Sequence, residues 1–173
     1  MYTPNPDEKT ATIMIYSQTA LIRGDAVVKE TVRVSVWMRT DAAPEYIHLL
    51  NPQVILANNS ATKVFSYSEI YYPTTQALAY HLAPPMKDPL DYDESEANRT
   101  MQPVTLLVGP FLMSGNIRIS TKVDMGTSIA SSRSIWMSLY NVKITNPYLP
   151  QMSEIQVPML LARPGQVSFA VQP

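Results

Sequence analysis

The sequence predicts an all-β protein: two related small β-barrel-like units, an internal duplication, joined by a Pro/Asp-rich linker and holding little helix. Three observations predict it. Residues 12–54 and 105–144 read alike: a strand, a turn, a strand with a central glycine (Gly24, Gly115), a strand around Val36-Trp37-Met38 or Ile135-Trp136-Met137, and a closing strand on Asn51-x-x-Val54 or Asn141-x-x-Ile144. The glycines lie 91 positions apart (115 minus 24), Val54 and Ile144 90 apart (144 minus 54), and the tryptophans 99 apart (136 minus 37). Strand cores thus align while loops absorb the slippage, as a repeat requires. Within both copies apolar residues recur with the period of two that marks strands.

In chain order, residues 1–10 read as a flexible or loosely docked arm, since Pro4, Pro6, Asp7 and Glu8 oppose regular structure. The first unit is placed at 11–82. Ile13 and Ile15 share one face of its first strand, Met14 and Tyr16 the other. The second strand, 21–28, carries Gly24 at mid-length, where glycine serves a bend or a close backbone approach. Val32, Val34, Val36 and Met38 form the apolar face of a third strand, leaving Arg33, Trp37 and Arg39 on the opposite one. After a turn at 41–44, residues 46–57 resume β character, interrupted at Asn51-Pro52; runs at 63–72 and 77–82 complete the unit, joined at 73–76. The linker, 83–103, holds four of the 15 prolines and five of the 14 acids, which stiffen and extend it. In the second unit, 104–173, Gly115 marks the bent strand, Ile135, Met137 and Leu139 an apolar face, and Trp136 the opposite one. Strands at 155–162 and 166–171 are joined at Arg163-Pro164-Gly165-Gln166, where Pro then Gly signals a type II turn.

Composition excludes several functions. At 173 residues the chain can bury roughly two-thirds of its unfolded surface without metals or crosslinks. Its 13 basic and 14 acidic residues leave a net charge of −1 with no adjacent Lys or Arg, so the footprint of a nucleic-acid binder is missing. Charged residues make up only 16% of the chain, which leaves sheet edges and apolar faces poorly protected against association. The absence of cysteine removes thiolate chemistry and suits a reducing compartment. No apolar run approaches the ~18 residues of a membrane span and no basic start leads into an apolar one, so no membrane insertion and a cytoplasmic location are expected. On that expectation the sequons at Asn58 and Asn98 are accidental.

Catalytic and metal constellations are sparse. His48 and His81 each lie alone in a β run and read as structural. No Gly-x-Ser-x-Gly elbow and no glycine-rich phosphate cradle occur. Asp91, Asp93 and Ser95 occupy the first, third and fifth places of a calcium loop, but Glu96 stands where glycine is required and Gln102 where the closing glutamate belongs. Met14, Met38, Met113, Met137 and Met159 fall in strands, where methionine fills irregular gaps. No cofactor, metal or catalytic residue is assigned.

The stretches 23–50, 109–120 and 134–144 resemble a group of uncharacterised bacterial proteins built from tandem short all-β modules, each with a Gly-bent strand, an Arg-Val-Ser strand and a closing Leu-Leu-x-x-x-Val strand. That resemblance implies no activity. The layout is also similar to small Sm-like and SH3-like barrels, which implies binding modules and formers of rings or filaments by analogy of fold alone. The second copy has Ser132-Arg133-Ser134 in place of the Arg-Val-Ser triplet, and the chain lacks the arginine pair and the Asp/Asn-x-Ser-x-x-Gly run of PilZ barrels.

These readings converge on a non-enzymatic interaction or assembly protein, a homo-oligomer or the binder of another protein, that associates through strand edges and faces of low charge. Trp37, Trp136, Arg33 and Arg39 are the candidate interaction residues, Gly24 and Gly115 the structural bends. Each tryptophan is either covered by a flanking segment of its own unit or exposed to anchor a partner. The alternative function is a sensor of a small aromatic or anionic ligand, held in a groove between the units by those same four side chains.

Overall fold

The computed structural model describes residues 2–40, 43–56, 63–149 and 152–171. Its strands are β1 (Glu8–Tyr16), β2 (Ala20–Lys29), β3 (Tyr46–Leu56), β4 (Val64–Ser66), β5 (Glu69–Pro73), β6 (Ala79–Leu82), β7 (Arg99–Val108), β8 (Phe111–Ser120), β9 (Met137–Thr145), β10 (Ile155–Ala162) and β11 (Ser168–Ala170), with a helix α1 (Met125–Ser131). They join into one open antiparallel sheet in the order β11-β7-β8-β9-β10-β6-β1-β2-β3-β4, with β5 beside β4 along the same edge of β3. The all-β expectation with little helix holds. The two halves are ordered alike: the last strand pairs with the first, and the first three pair in succession with the fourth. In each half a 3-10 turn, Thr74–Gln76 or Pro164–Gln166, leads into the last strand.

β1 separates two cores. Its residues Ile13 and Ile15 enter one with Ile22, Trp37, Ile47 and Tyr80, while Met14 and Tyr16 enter the other with Phe111, Met113, Ile117 and Leu139. Alternation along β1 therefore marks two apolar faces, the condition of a strand in the middle of a packed sheet. Each core borrows from the other half: Trp136 and Leu161 lie in the first, Leu78 and Ala79 in the second.

Both glycine strands run unbroken, and the irregularity lies in the strand beside them. Arg23 faces Gln53 and Asp25 faces Leu50, so Gly24 alone opposes Asn51 and Pro52; Gly115 alone opposes Asn141 and Val142 in the same way. Asn51 (φ 48°) and Asn141 (φ 52°) take the left-handed conformation that asparagine tolerates and a bulge exploits. A Cβ on Gly24 would stand 3.2 Å from Leu49 Cβ, and one on Gly115 2.9 Å from the Tyr140 carbonyl. The glycines thus serve close approach of a bulged neighbour rather than a bend of their own backbone.

The structure corrects several expected elements. Residues 34–39 form a 3-10 helix, Val34–Arg39, not the third strand. Val34, Trp37 and Met38 are buried at helical spacing, which fits the apolar pattern as well as alternation does, and β3 already occupies the edge of β2. Trp37 therefore lies in that helix while Trp136 directly precedes β9, so the two do not share a repeat position. The run at 63–72 is split into β4 and β5, because Tyr67-Ser68 answers the bulge: Tyr67 N donates to the Pro52 carbonyl (3.1 Å) and Asn51 N to that of Ser68 (2.9 Å). At Pro164-Gly165 the chain makes the 3-10 turn rather than a type II turn, and Gly165 has no positive φ. β1 begins at Glu8, inside the expected arm, and Tyr2 is docked through its backbone N–H on Glu69 (2.8 Å) and its hydroxyl on Glu8 (2.7 Å). The expected turn at 41–44 and the sequon at Asn58 fall partly or wholly outside the described residues.

Candidate functional site

The two halves meet where β6 pairs with β10, Tyr80 opposite Leu161 and Ala79 opposite Ala162. Arg163 extends this seam. Its backbone N–H donates to the Leu78 carbonyl (2.8 Å), its Nε to Ala77 (2.9 Å) and an η nitrogen to Thr74 (2.9 Å), and its guanidinium lies 4.5 Å from the centre of the Trp136 ring. Burial lowers the Arg163 pKa from its ordinary value. Trp136 also meets Tyr80 edge to face at 5.3 Å, which leaves it only 2% exposed.

Residues 83–98 of the expected linker lie across the seam as an ordered strap, while residues 99–103 already belong to β7 and pair with β8. Asp88 accepts from Ser35 N (3.0 Å), and the Pro89 carbonyl accepts from Arg33. The Asp91 side chain, 8% exposed, receives Arg39 from the first half (2.6 Å) and Ser138 (2.6 Å) and Tyr140 (2.7 Å) from the second. Burial alone would raise the Asp91 carboxyl; hydrogen bonds from Ser138 and Tyr140 and the charge of Arg39 outweigh it and hold its pKa below the usual carboxylate value. Burial, reinforced by the bond to Asp91, raises Tyr140. Further along, Arg118 donates to Glu96 (2.5 Å) and the Asp93 carbonyl (2.5 Å) and sits 4.7 Å over the Tyr92 ring. Asp91 and Asp93 thus serve different partners, and Asp93 closes on Ser95.

Beside the strap a groove of about 910 Å³ is lined by Arg33, Arg39, Arg99 and Arg118, by Asp91, Asp93 and Glu96 of the strap itself, and by Tyr140 and Trp136. Three of the four expected interaction residues come together here. Trp37 does not, being 4% exposed within the first core. Both tryptophans are buried, so of the two readings open for them the covered one fits, with Trp136 enclosed in the core of the other half rather than by a flanking segment of its own unit. Ser138, Tyr140 and Arg118 were not foreseen, and Asp91 stood out only as a place in an incomplete calcium loop; the acids of the linker were the visible signal, but these partners lie 22 to 49 residues along the chain.

A second feature lies at the edge of the sheet. Among the described residues β4 and β5 pair with β3 alone, so residues 64–73 present one long outer edge. Val64 (55%), Tyr67 (52%) and Tyr71 (60%) are exposed there, and Glu69 is the one charged residue of the ten. Tyr71 stacks on His48 at 4.3 Å and His48 contacts Glu69 (3.1 Å), which hold the ring in place. At the other end of the sheet β11 pairs with β7 alone.

Fold and sites together describe an antiparallel β protein with a polar groove beside a strap and, among the described residues, two unpaired sheet edges. No helix among the described residues is long and apolar enough to cross a membrane. No family model matches the chain, and neither a curated protein nor a solved structure matches it.

Proposed function

We propose that this chain is a non-enzymatic interaction and assembly protein, built from two related barrel-like units and self-associating through its sheet edges. Relatedness is supported by the repeated strand order, the 3-10 turn before each last strand, and the paired Gly–Asn bulges. The observation that carries the function is the edge at residues 64–73. Unpaired backbone donors and acceptors on an exposed strand are a template for another strand, and proteins that stay apart guard such edges with charge or proline. Here Glu69 is the one charge, proline stands only at the end, and tyrosine, a residue enriched at interfaces, is prominent. Sedimentation across a concentration series tests this, with Phe65→Lys and Tyr71→Lys alongside. Association of the parent that both lysines weaken is expected; a parent that stays monomeric at every concentration refutes it.

A second reading is favoured by the groove: a small anionic ligand with a ring, held by arginine forks and aromatic faces. Arg99 is its least committed cation, 49% exposed and 4.0 Å from Glu96. Pyrophosphate, citrate and AMP serve as probes in a thermal-shift assay. A rise in melting temperature that Arg99→Ala abolishes supports this reading, and no rise with any probe removes it.

A further inference from the structure

We propose that the occupant of the β4–β5 edge is strand β11 of a second copy, seated there as β6 is seated on β10 within the chain. The inference rests on the assembly reading and names its partner. In the second half, the outer edge of the fourth strand, β10, is covered by the last strand of the first half. Among the described residues the corresponding edge in the first half is unpaired, and the last strand of the second half, β11, has an unpaired edge of its own. The chain thus holds one completed junction and the two unmatched halves of another.

The register follows from the bulges. Tyr71 lies opposite His48, three residues before Asn51; Leu161 lies opposite Ser138, three residues before Asn141. Tyr71 therefore holds the place of Leu161. Tyr80 lies opposite Ile15, two residues past the partner of Gly24, and Phe169 opposite Leu106, two past the partner of Gly115. Phe169 therefore holds the place of Tyr80. Since Leu161 pairs with Tyr80, Tyr71 should pair with Phe169 of the next copy, and Tyr72 with its Ser168.

Burial agrees with this placement. Leu161 is 1% exposed because it enters the core of the neighbouring half, whereas Tyr71, at the same place, is 60% exposed. Phe169 packs against the core of its own half, as Tyr80 does. An aromatic pair across the seam contributes favourably. One difference sets the strength. Pro73 stands where Arg163 stands in the internal seam, and it supplies neither the backbone N–H nor the guanidinium that Arg163 gives to Leu78, Ala77 and Thr74. The junction between copies should therefore be weaker than the internal one, reversible and dependent on concentration. Because the two edges differ, the contact is head to tail, and assemblies close into rings or grow.

The chain has no cysteine, so introduced ones report cleanly. Tyr71→Cys and Phe169→Cys chains are mixed and mildly oxidised, after circular dichroism has shown each to be folded, and tagged differently so that mixed and like pairs can be told apart. A shift from 19.3 kDa to twice that mass, made of mixed pairs in the main, is the expected result. A Tyr72→Cys and Ser168→Cys mixture repeats the test should either first variant be unfolded. If the parent sediments as an oligomer and neither mixture crosslinks, or if Tyr71→Cys crosslinks chiefly to itself, this junction is overturned while assembly through another surface stands. If the parent is monomeric throughout, both fall together.

Discussion

His81 is fully enclosed, with its Nδ1 donating to the Leu82 carbonyl (2.7 Å) and its Nε2 accepting from the Tyr16 hydroxyl (2.9 Å). Burial disfavours its charged form and lowers its pKa from 6.5 to about 4, with the Leu82 bond opposing. The unfolded chain then takes up a proton at a pH where the folded one does not. The stability this neutral histidine carries is complete above pH 6.5 and is lost as pH falls toward 4, on the order of 3 kcal/mol in all. Urea midpoints at pH 7 and 4.5 should fall steeply for the parent and less for His81→Gln; equal slopes would remove His81 as the cause. The Glu8 carboxyl, drawn down to about 2 by the hydrogen bond from Tyr2 and that from Asn5, acts below this window. That His81 is structural rather than a ligand was readable from its isolation in a β run, but its Tyr16 partner, 65 residues away, was not.

At the scale of elements, the two bulges differ in tolerance. A methyl group on Gly24 would press mainly on Leu49 and Pro52 at 3.2–3.3 Å, where small shifts absorb it, whereas on Gly115 it meets the Tyr140 carbonyl at 2.9 Å. Gly115→Ala should cost about 1–3 kcal/mol, as overpacking does, and Gly24→Ala clearly less, since alanine recovers some strand entropy. Equal losses in denaturant melts would contradict this. Both glycines and the Asn-x-x-Val/Ile closures stood out in the sequence, yet the bulge belongs to the asparagine strand, a fact visible only once the strands are paired. The helix Val34–Arg39 was hidden for a related reason: a short apolar run fits two periods, and β3 arriving from later in the chain decided between them.

For the whole molecule, the strap matters through Asp91, which ties Arg39 to Ser138 and Tyr140 across the seam. Asp91→Asn keeps the shape but removes the charge opposite Arg39. It should lower stability by about 1–3 kcal/mol, read as a lower thermal midpoint, because one of the two acceptor oxygens becomes an NH2 that faces donors and Arg39 loses its counter-charge. An unchanged midpoint would show that the strap merely rests on the surface. From composition the linker read as a stiff and extended connection, and the structure docks its residues 88–91 on both halves. Assembly through the open edges belongs to this scale too, since it depends on which strands the fold places at the ends of the sheet.

The sequence by itself determined that this chain is mostly strand and which side chains share a face along β1, because period-two patterning is local; the helix Val34–Arg39 and the break between β4 and β5 lay outside its reach. Only the tertiary structure decided which faces meet. It buried β1 on both sides, drew Trp136 into the core of the other half, placed β6 on β10 and, among the described residues, left the outer edges of β5 and β11 unpaired. The physical reason is that a strand's pattern states its need for burial without naming the partner, and here the partners come from distant parts of the chain.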